Sequence, residues 1–357
     1  MLIFKKAYVF LLLFCVFSLE AKSQKTNHQV FQLAWWNVEN LFDITNDPST
    51  NDDAFTPKGK NQWHQKRLSQ KFKNLSRVIF DLKKTHPTGQ LPEIFGFCEV
   101  EHASLLEELF QKHLLASGYK FAYKESSDRR GIDVGFAYNA NVFSLIHLQL
   151  IPFQILDQPG REILFALFET QNHQIAVYGN HWPSRRNNPK RSERLRIAAA
   201  QALKHHVDSL MHENPSLDII IMGDFNDEPH NASISKTLKA TPLNDSNKVN
   251  LPGQLFNCMD APSPIGSYIF HSKWHKFDQI LVAQTLLDGR GFNLAPHSFK
   301  VFYMPYMFKL MKGGRALELN KTYSGNNYLG GISDHLPIYV LIQLLPPNNL
   351  NNNIKSQ

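Results

Sequence analysis

Glu39, Glu99, Asp224 and Asp334 are carboxylates that each follow an apolar run within one to three residues. Ionised carboxylates held that close to a core are costly unless they are paired or bound to a cation. Asn37, Asn180, His181, Asn226, Asp278 and His335 stand at the ends of the same or similar runs. Together these residues offer carboxylate and amide oxygens and two imidazoles, a set suited to a hard divalent cation and a phosphate. Mg2+ needs only one or two carboxylates and completes its octahedron with water and substrate phosphate. Mn2+ and Ca2+ are alternatives. His335 directly follows Asp334, and Asp278 follows the aromatic Phe277. An Asp that accepts from a His ring N–H fixes the tautomer and favours the imidazolium.

Other chemistries find less support. Zinc would draw on His or Cys pairs at short spacing, and none is evident. His205 and His206 are neighbours on a helical stretch, so they face different directions and read as surface residues. There is no Gly-x-Ser-x-Gly elbow, and Cys98 follows a buried run, which argues against acyl-enzyme chemistry.

The stretch that must position this chemistry is Leu217–Pro229, LDIIIMGDFNDEP. Ile219, Ile220, Ile221 and Met222 read as a strand buried on both faces. If the chain stays extended past Gly223, Asp224 and Asn226 point to the same side. A plain Asx turn is the competing reading. Further strands are expected at Val30–Val38, Glu93–Cys98, Lys120–Tyr123, Ile132–Tyr138, Phe143–Ile151, Ile163–Glu169, Gln174–Tyr178 and Ile338–Leu344. Ser267–Phe270 and Phe277–Val282 read as a hairpin-like pair. Trp63, Leu68, Phe72, Leu75, Ile79 and Leu82 recur at helical steps. Helices are also expected over His102–Ser117, from Pro189 to about His212 with Pro at a favoured early position, and over Ser233–Leu238. Leu286–Leu319 shows no assignable period. Strands and helices mix without a strict βαβ rhythm, which predicts two packed, mixed or antiparallel sheets with helices outside.

Lys5 and Lys6, the apolar run Ala7–Leu19 and Ala21-Lys22-Ser23 read as a signal peptide spanning residues 1–23. The apolar run is short for a membrane span. The expectation is a secreted or periplasmic protein without stable membrane insertion. Residues 24–345 read as a single domain, and the Asn-rich stretch 346–357 as a disordered tail. The formal charge of +7 is a mild basic excess, compatible with a polyanionic substrate. Beyond residue 23 only Cys98 and Cys258 remain, enough for one disulfide but not a framework.

Taken in order, Trp36-Asn37-Val38-Glu39, Cys98-Glu99, Asn180-His181, Gly223-Asp224-Phe225-Asn226, Phe277-Asp278 and Ser333-Asp334-His335 resemble the motifs of the endonuclease/exonuclease/phosphatase superfamily. That superfamily includes pancreatic DNase I, exonuclease III-type repair enzymes, neutral sphingomyelinases and inositol polyphosphate 5-phosphatases. The resemblance runs from about Phe31 to Leu344. It implies a DNase I-like four-layer α/β sandwich and Mg2+-dependent hydrolysis of a phosphate ester. Glu99 would be the principal metal ligand, with Asn37, Glu39 and Asp334 close by. Asp224 and Asn226 would position water and a phosphate oxygen. His335, held by Asp278, would be the base or stabilise developing charge, and His181 would donate to phosphate or to the leaving oxygen. The resemblance leaves the base open between an Asp and a His. Glu39 stands where many relatives have Asp, and Gln279 where repair enzymes often have Tyr. Asn180-His181-Trp182-Pro183-Ser184-Arg185 looks most like exported bacterial nuclease-like members.

Arg185, Arg186, Lys190, Arg191, Arg194 and Arg196 crowd one short stretch after His181. Cations in a helix's first turn oppose its dipole, so they suggest a phosphate clamp. Asn180 and Arg130 are further candidates for substrate phosphate. Trp182, Tyr268 and Trp274 either stack on bases or pack. The leading expectation is an exported nuclease acting on DNA, with RNA as a further substrate. The alternatives are a sphingomyelinase or phospholipase C-like enzyme, for which Tyr303–Leu310 is the candidate lipid hairpin, a small-molecule phosphatase, and an inactive binding module.

Overall fold

Along β1 (Gln29–Leu41) the side chains alternate, with Phe31, Leu33 and Trp35 on one face and Ala34, Trp36 and Val38 on the other, and all six are buried. A strand buried on both faces needs a layer on each side. The computed structural model, which describes residues 29–155, 158–185, 188–243, 253–260, 265–310 and 317–346, shows what those layers are. The expected leader, the tail from residue 347 and Arg186 lie outside the described residues.

Under one face of β1 lies α1 (Gln65–Leu82), which buries Leu68, Phe72, Leu75, Ile79 and Leu82. The helical spacing read from the sequence is the face that packs. β2 (Ile94–Val100) runs parallel to β1 with Asn37 opposite Cys98. In a second sheet β3 (His173–His181) is followed by α2 (Pro189–Glu213) and by β4 (Asp218–Asp224), parallel to β3 with His181 opposite Asp224. β5 (Asp278–Ala283) lies antiparallel to β4, and β6 (Ile338–Leu344) antiparallel to β1.

The first sheet is ordered Phe292–Leu294, β6, β1, β2, Asp133–Asn139, Tyr119–Tyr123, with Lys300–Val301 also on β6. The second is ordered Thr241–Pro242, Leu255–Asn257, β5, β4, β3, Ile163–Thr170, Ser144–Ile151. Phe31, Leu33 and Trp35 meet Ile220 and Met222 between the sheets, while Ile219 and Ile221 pack under α2 against Ala199, Ala200, Leu203 and Val207. The result is the four-layer α/β sandwich. Each sheet has a parallel inner pair with an antiparallel strand beside it. The C-terminal ends of β1, β2, β3 and β4 and the starts of β5 and β6 therefore fall at one edge.

Two readings are corrected. Tyr268–Phe270 pairs with Lys273–His275, not with Phe277–Val282. His271 and Ser272 both have positive φ, the geometry of a two-residue hairpin turn. β5, apolar on both faces, is instead a central strand between β4 and Leu255–Asn257. The helix after His102 is shorter than expected, Ala103–Glu108 continued by a wider turn over Leu109–His113. Leu286–Leu319 contributes only short strands, such as Phe292–Leu294 and Phe308–Leu310. Cys98 and Cys258 are both buried free thiols.

Lys71 pins α1 beneath the site. It is 1% exposed and donates to Glu39 O at 3.0 Å, Thr322 Oγ1 at 2.6 Å and Ile332 O at 2.7 Å. Burial pulls its pKa down to about 8, against the pull of Glu39 and Asp334. Lys71→Ala strands these acceptors and the Glu39 charge, so a loss of about 3–5 kcal/mol is expected in urea unfolding. A loss under about 1 kcal/mol would show that this buried ammonium carries no structural weight.

Candidate active site

The strand ends turn sharply where they leave the sheets. Glu39, Asn40, Glu99 and Asn226 all take positive φ, at 53°, 58°, 63° and 50°. Non-glycine residues adopt this region rarely, and such strain gathers at functional sites. The pairing of β1 with β2 is irregular between Asn37 and Leu41, and that of β2 with Asp133–Asn139 between Cys98 and Val100. Gly223 has a different reason to be glycine. A Cβ there would lie 2.5 Å from Asn180 Cβ and 2.7 Å from Asn180 O, so only glycine lets β4 run this close to β3.

Asp224 is the hub. Its Oδ2 accepts from Asn37 Nδ2 at 3.1 Å, and its Oδ1 from the Asn226 amide at 3.0 Å. Oδ2 also lies 3.8 Å from His181 Nε2 and 3.8 Å from His335 Nε2. His181 Nε2 is 3.6 Å from Glu99 Oε1, and Glu99 Oε2 accepts from the Asn40 amide at 3.0 Å. His335 Nδ1 meets Asp278 Oδ2 at 2.6 Å, and Asp278 Oδ1 accepts from Trp35 Nε1 at 3.2 Å. Ser333 Oγ donates to Asn37 O at 2.7 Å and accepts the His335 amide at 3.0 Å. One connected set of contacts thus joins both sheets.

The two imidazoles are pushed in opposite directions. Burial works against charge on His335, but Asp278 and then Asp224 hold its pKa well above the ordinary histidine value. Burial lowers His181, and Arg161, Arg130 and His335 push it the same way, so it is neutral. Burial raises Asp224 to about 7, opposed by His335. Asp334 is raised by burial, with His335 opposing and Glu99 adding repulsion.

These groups open on a cleft of about 930 Å³. Asn37, Glu99, His181, Asp224, Asn226, Asp334 and His335 line it, with Asp278 directly behind His335. Arg130 and Arg185 also line it, though both are tethered. Arg130 pairs with Asp128 at 3.3 Å, and Arg185 with Asp227 at 2.9 Å. Glu39, expected near the cation, does not line the cleft. Its two oxygens accept the amides of Thr322 at 2.6 Å and Tyr323 at 2.9 Å, so it anchors that loop. Asn180 is likewise corrected as a phosphate contact. It is fully buried, donating to Met222 O and accepting from Trp182 Nε1. Arg196 is no part of a clamp, being buried against Asp227 at 2.8 Å. Trp182 packs on Phe225 in the core.

Two of the residues that line the cleft, Arg161 and Phe270, were not singled out in the sequence. Arg161 donates to Asp128 and to His181 O at 2.7 Å, joining the arginine loop to the histidine. Arg129, Arg191, Phe270 and Phe277 line the cleft with it, and so does Tyr268, whose ring lies 4.7 Å from that of His335. A cation two residues before the strand Ile163–Thr170 was the one available hint for Arg161.

The donor set fits a hard cation. Glu99, Asp224 and Asp334 crowd together with one imidazolium among them, and a divalent ion would relieve that excess of negative charge. Asp224, Asp278 and His335 also come within 4.8 Å of one another. In that trio the 2.6 Å bond already uses His335 Nδ1, so Glu99 and Asp334 are the better ligands.

A family model described as Endonuclease/Exonuclease/phosphatase family matches residues 32–344. The chain belongs to that family. It is accordingly a hydrolase of phosphate esters. No curated protein sequence matches it significantly. Among solved structures it is similar to an endonuclease/exonuclease/phosphatase family protein from Bacteroides thetaiotaomicron, with 15% identity, 89% of this chain and 99% of that one covered, and TM-score 0.52. A mannosyl-6-phosphatase from the same organism gives 14% identity, 87% and 99% coverage and TM-score 0.53. TDP2 of D. rerio complexed with a single-strand DNA product gives 14%, 88% and 98%, and TM-score 0.52. At these identities the likeness concerns the fold.

Asp278→Asn removes the charge that holds the His335 proton. The imidazole pKa, followed by NMR, is expected to fall toward the ordinary histidine range. No movement would mean that Asp278 does not control His335.

Proposed function

We propose that this chain is an exported, Mg2+-dependent phosphodiesterase that hydrolyses nucleic acid, DNA first and RNA as well. The observation that carries the reading is the contact series Glu99–His181–Asp224–His335 on the floor of a cleft lined by arginines and aromatic rings. Arginines suit backbone phosphates, and Tyr268, Phe270 and Phe277 suit stacked bases of an unpaired strand. The DNA product carried by D. rerio TDP2 supports this substrate class. The leader read over residues 1–23 supports export.

Asp278 fixes the His335 tautomer, and the imidazolium faces the phosphate as negative charge builds on it. Asp224, held by Asn37 and Asn226, orients the attacking water and accepts its proton. His335 already holds its proton near neutrality, which leaves Asp224 as the base. Neutral His181 offers an N–H to a phosphate or leaving oxygen. Mg2+, when held by Glu99 and Asp334, would supply further charge to phosphate oxygens.

The pH dependence follows. Asp224 acts as the carboxylate, so activity rises with pH through about 7 and falls at higher pH as His335 loses its proton. Asp224→Asn should remove the acid limb with most of the rate. Glu99→Gln and His335→Ala should each lower kcat by about 10²–10⁴ while the protein stays folded. The assay sets plasmid, single-stranded DNA, RNA, sphingomyelin and sugar phosphates side by side with Mg2+. Full activity in both variants would refute the mechanism, and a preference for sugar phosphates would refute the substrate.

A second reading, a phospholipase C-like enzyme, draws on Tyr303, Leu310 and Leu317, which are apolar and exposed near one another in sequence. Binding of the protein to sphingomyelin vesicles would favour it.

A further inference from the structure

Beyond the cleft, the segments following β1 and β2 build a second acidic group. Asp43, Glu101 and His102 bring one ligand atom each within 4.8 Å of one another. Glu101 is 1% exposed, and its Oε2 accepts the Asp43 amide at 2.7 Å. Its Oε1 is buried with no hydrogen-bond partner. Asp52, whose charge is felt by Glu101, repeats the pattern. It is 1% exposed, its Oδ2 accepts the Asp47 amide at 3.0 Å, and its Oδ1 is buried without a partner. A buried carboxylate oxygen with no donor bears its full desolvation penalty, so two of them call for a positive partner.

His102 supplies the orientation. Its Nδ1 lies 3.2 Å from Glu125 Oε1, the carboxylate contact that orients a metal-binding imidazole through its other nitrogen. That other nitrogen, Nε2, is 4.0 Å from the orphaned Glu101 Oε1. The gap is too long for a hydrogen bond. Two ligands at about 2.1 Å across an octahedral ion stand about 4.2 Å apart, which the gap approaches.

We propose that Asp43, Glu101 and His102, with Asp52 as a further carboxylate, bind a second divalent cation separate from the one in the cleft. Carboxylates with one imidazole suit Mn2+ or Zn2+ better than Ca2+. The ion ties the segment after β1 to the end of β2. That segment in turn holds the arginine loop, since the Asn51 amide donates to Arg129 O at 2.6 Å and Thr50 packs against Gly131. The second cation is thus a clamp that positions Arg129 and Arg130 at the cleft.

The proposal rests on the cleft reading only for the total ion count, and the test separates the two. Mn2+ alone is titrated calorimetrically into the metal-stripped protein. Wild type should bind two ions, Glu99→Gln one, and Asp43→Asn/Glu101→Gln one. His102→Ala, at a half-exposed position that leaves the core intact, should weaken the same ion by about 10-fold or more. If Asp43→Asn/Glu101→Gln and His102→Ala both bind Mn2+ as wild type does, the second site is refuted. A count that Glu99→Gln leaves unchanged but Asp43→Asn/Glu101→Gln lowers would support this site and refute the cleft ligand.

Discussion

One buried carboxylate sits between two imidazoles, and the fold keeps those imidazoles in different protonation states. Asp224 is 3.8 Å from both His181 and His335. Behind His335 stands Asp278, which stabilises its proton. Behind His181 stand Arg161 and Arg130, which repel one. Were both histidines neutral, Asp224 would lose the nearby cation that tempers its burial. Were both charged, the two imidazoliums would repel each other across Asp224. The asymmetry needs one partner from the start of β5 and others from loops on the far side of the cleft, so no single segment can create it.

Strand direction is what makes that assembly affordable. With a parallel pair at the centre of each sheet and an antiparallel strand beside it, strand ends and strand starts share an edge. Trp35 then bonds Asp278, and Asn37 bonds Asp224, across the sandwich. The left-handed turns at Glu39, Asn40, Glu99 and Asn226 are the local cost of aiming polar groups at one place. Lys71, Thr322 and the Glu39 carboxylate hold that edge from beneath.

What could be read from the sequence was whatever depends on short-range pattern. Ile219–Met222 announces a strand buried on both faces, and Asp224 and Asn226 two apart announce a polar strand end. The same logic found Glu99, His181 and His335, which all reach the cleft. It failed for Glu39, because the amides that capture it belong to residues 283 and 284 positions away. Asn180 looked as exposed as His181 in sequence, yet alternation turns it inward to Met222 O. Arg161 was invisible because its partners, Asp128 and the His181 carbonyl, are remote in sequence.

The basic run after His181 shows the limit of counting charge. Arg185 and Arg196 converge on one buried acid, Asp227, whose carboxylate also accepts from Ser233 Oγ. Arg196 therefore fastens α2 to the loop after β4 and does not face substrate, while Arg185 lines the cleft tied to the same acid. The cations closest to the chemistry come from elsewhere, Arg130 and Arg161, and share Asp128. Burial opposes charge on Asp128, but Arg161 and then Arg130 hold its pKa well below the ordinary carboxylate value. Asp128 is thus an anion that fixes two guanidiniums and half-cancels them. What remains is one net positive charge beside neutral His181, placed against the carboxylates of Glu99 and Asp224. A phosphate ester suits that boundary, with its anionic oxygens toward the arginines and its phosphorus toward Asp224 and Glu99.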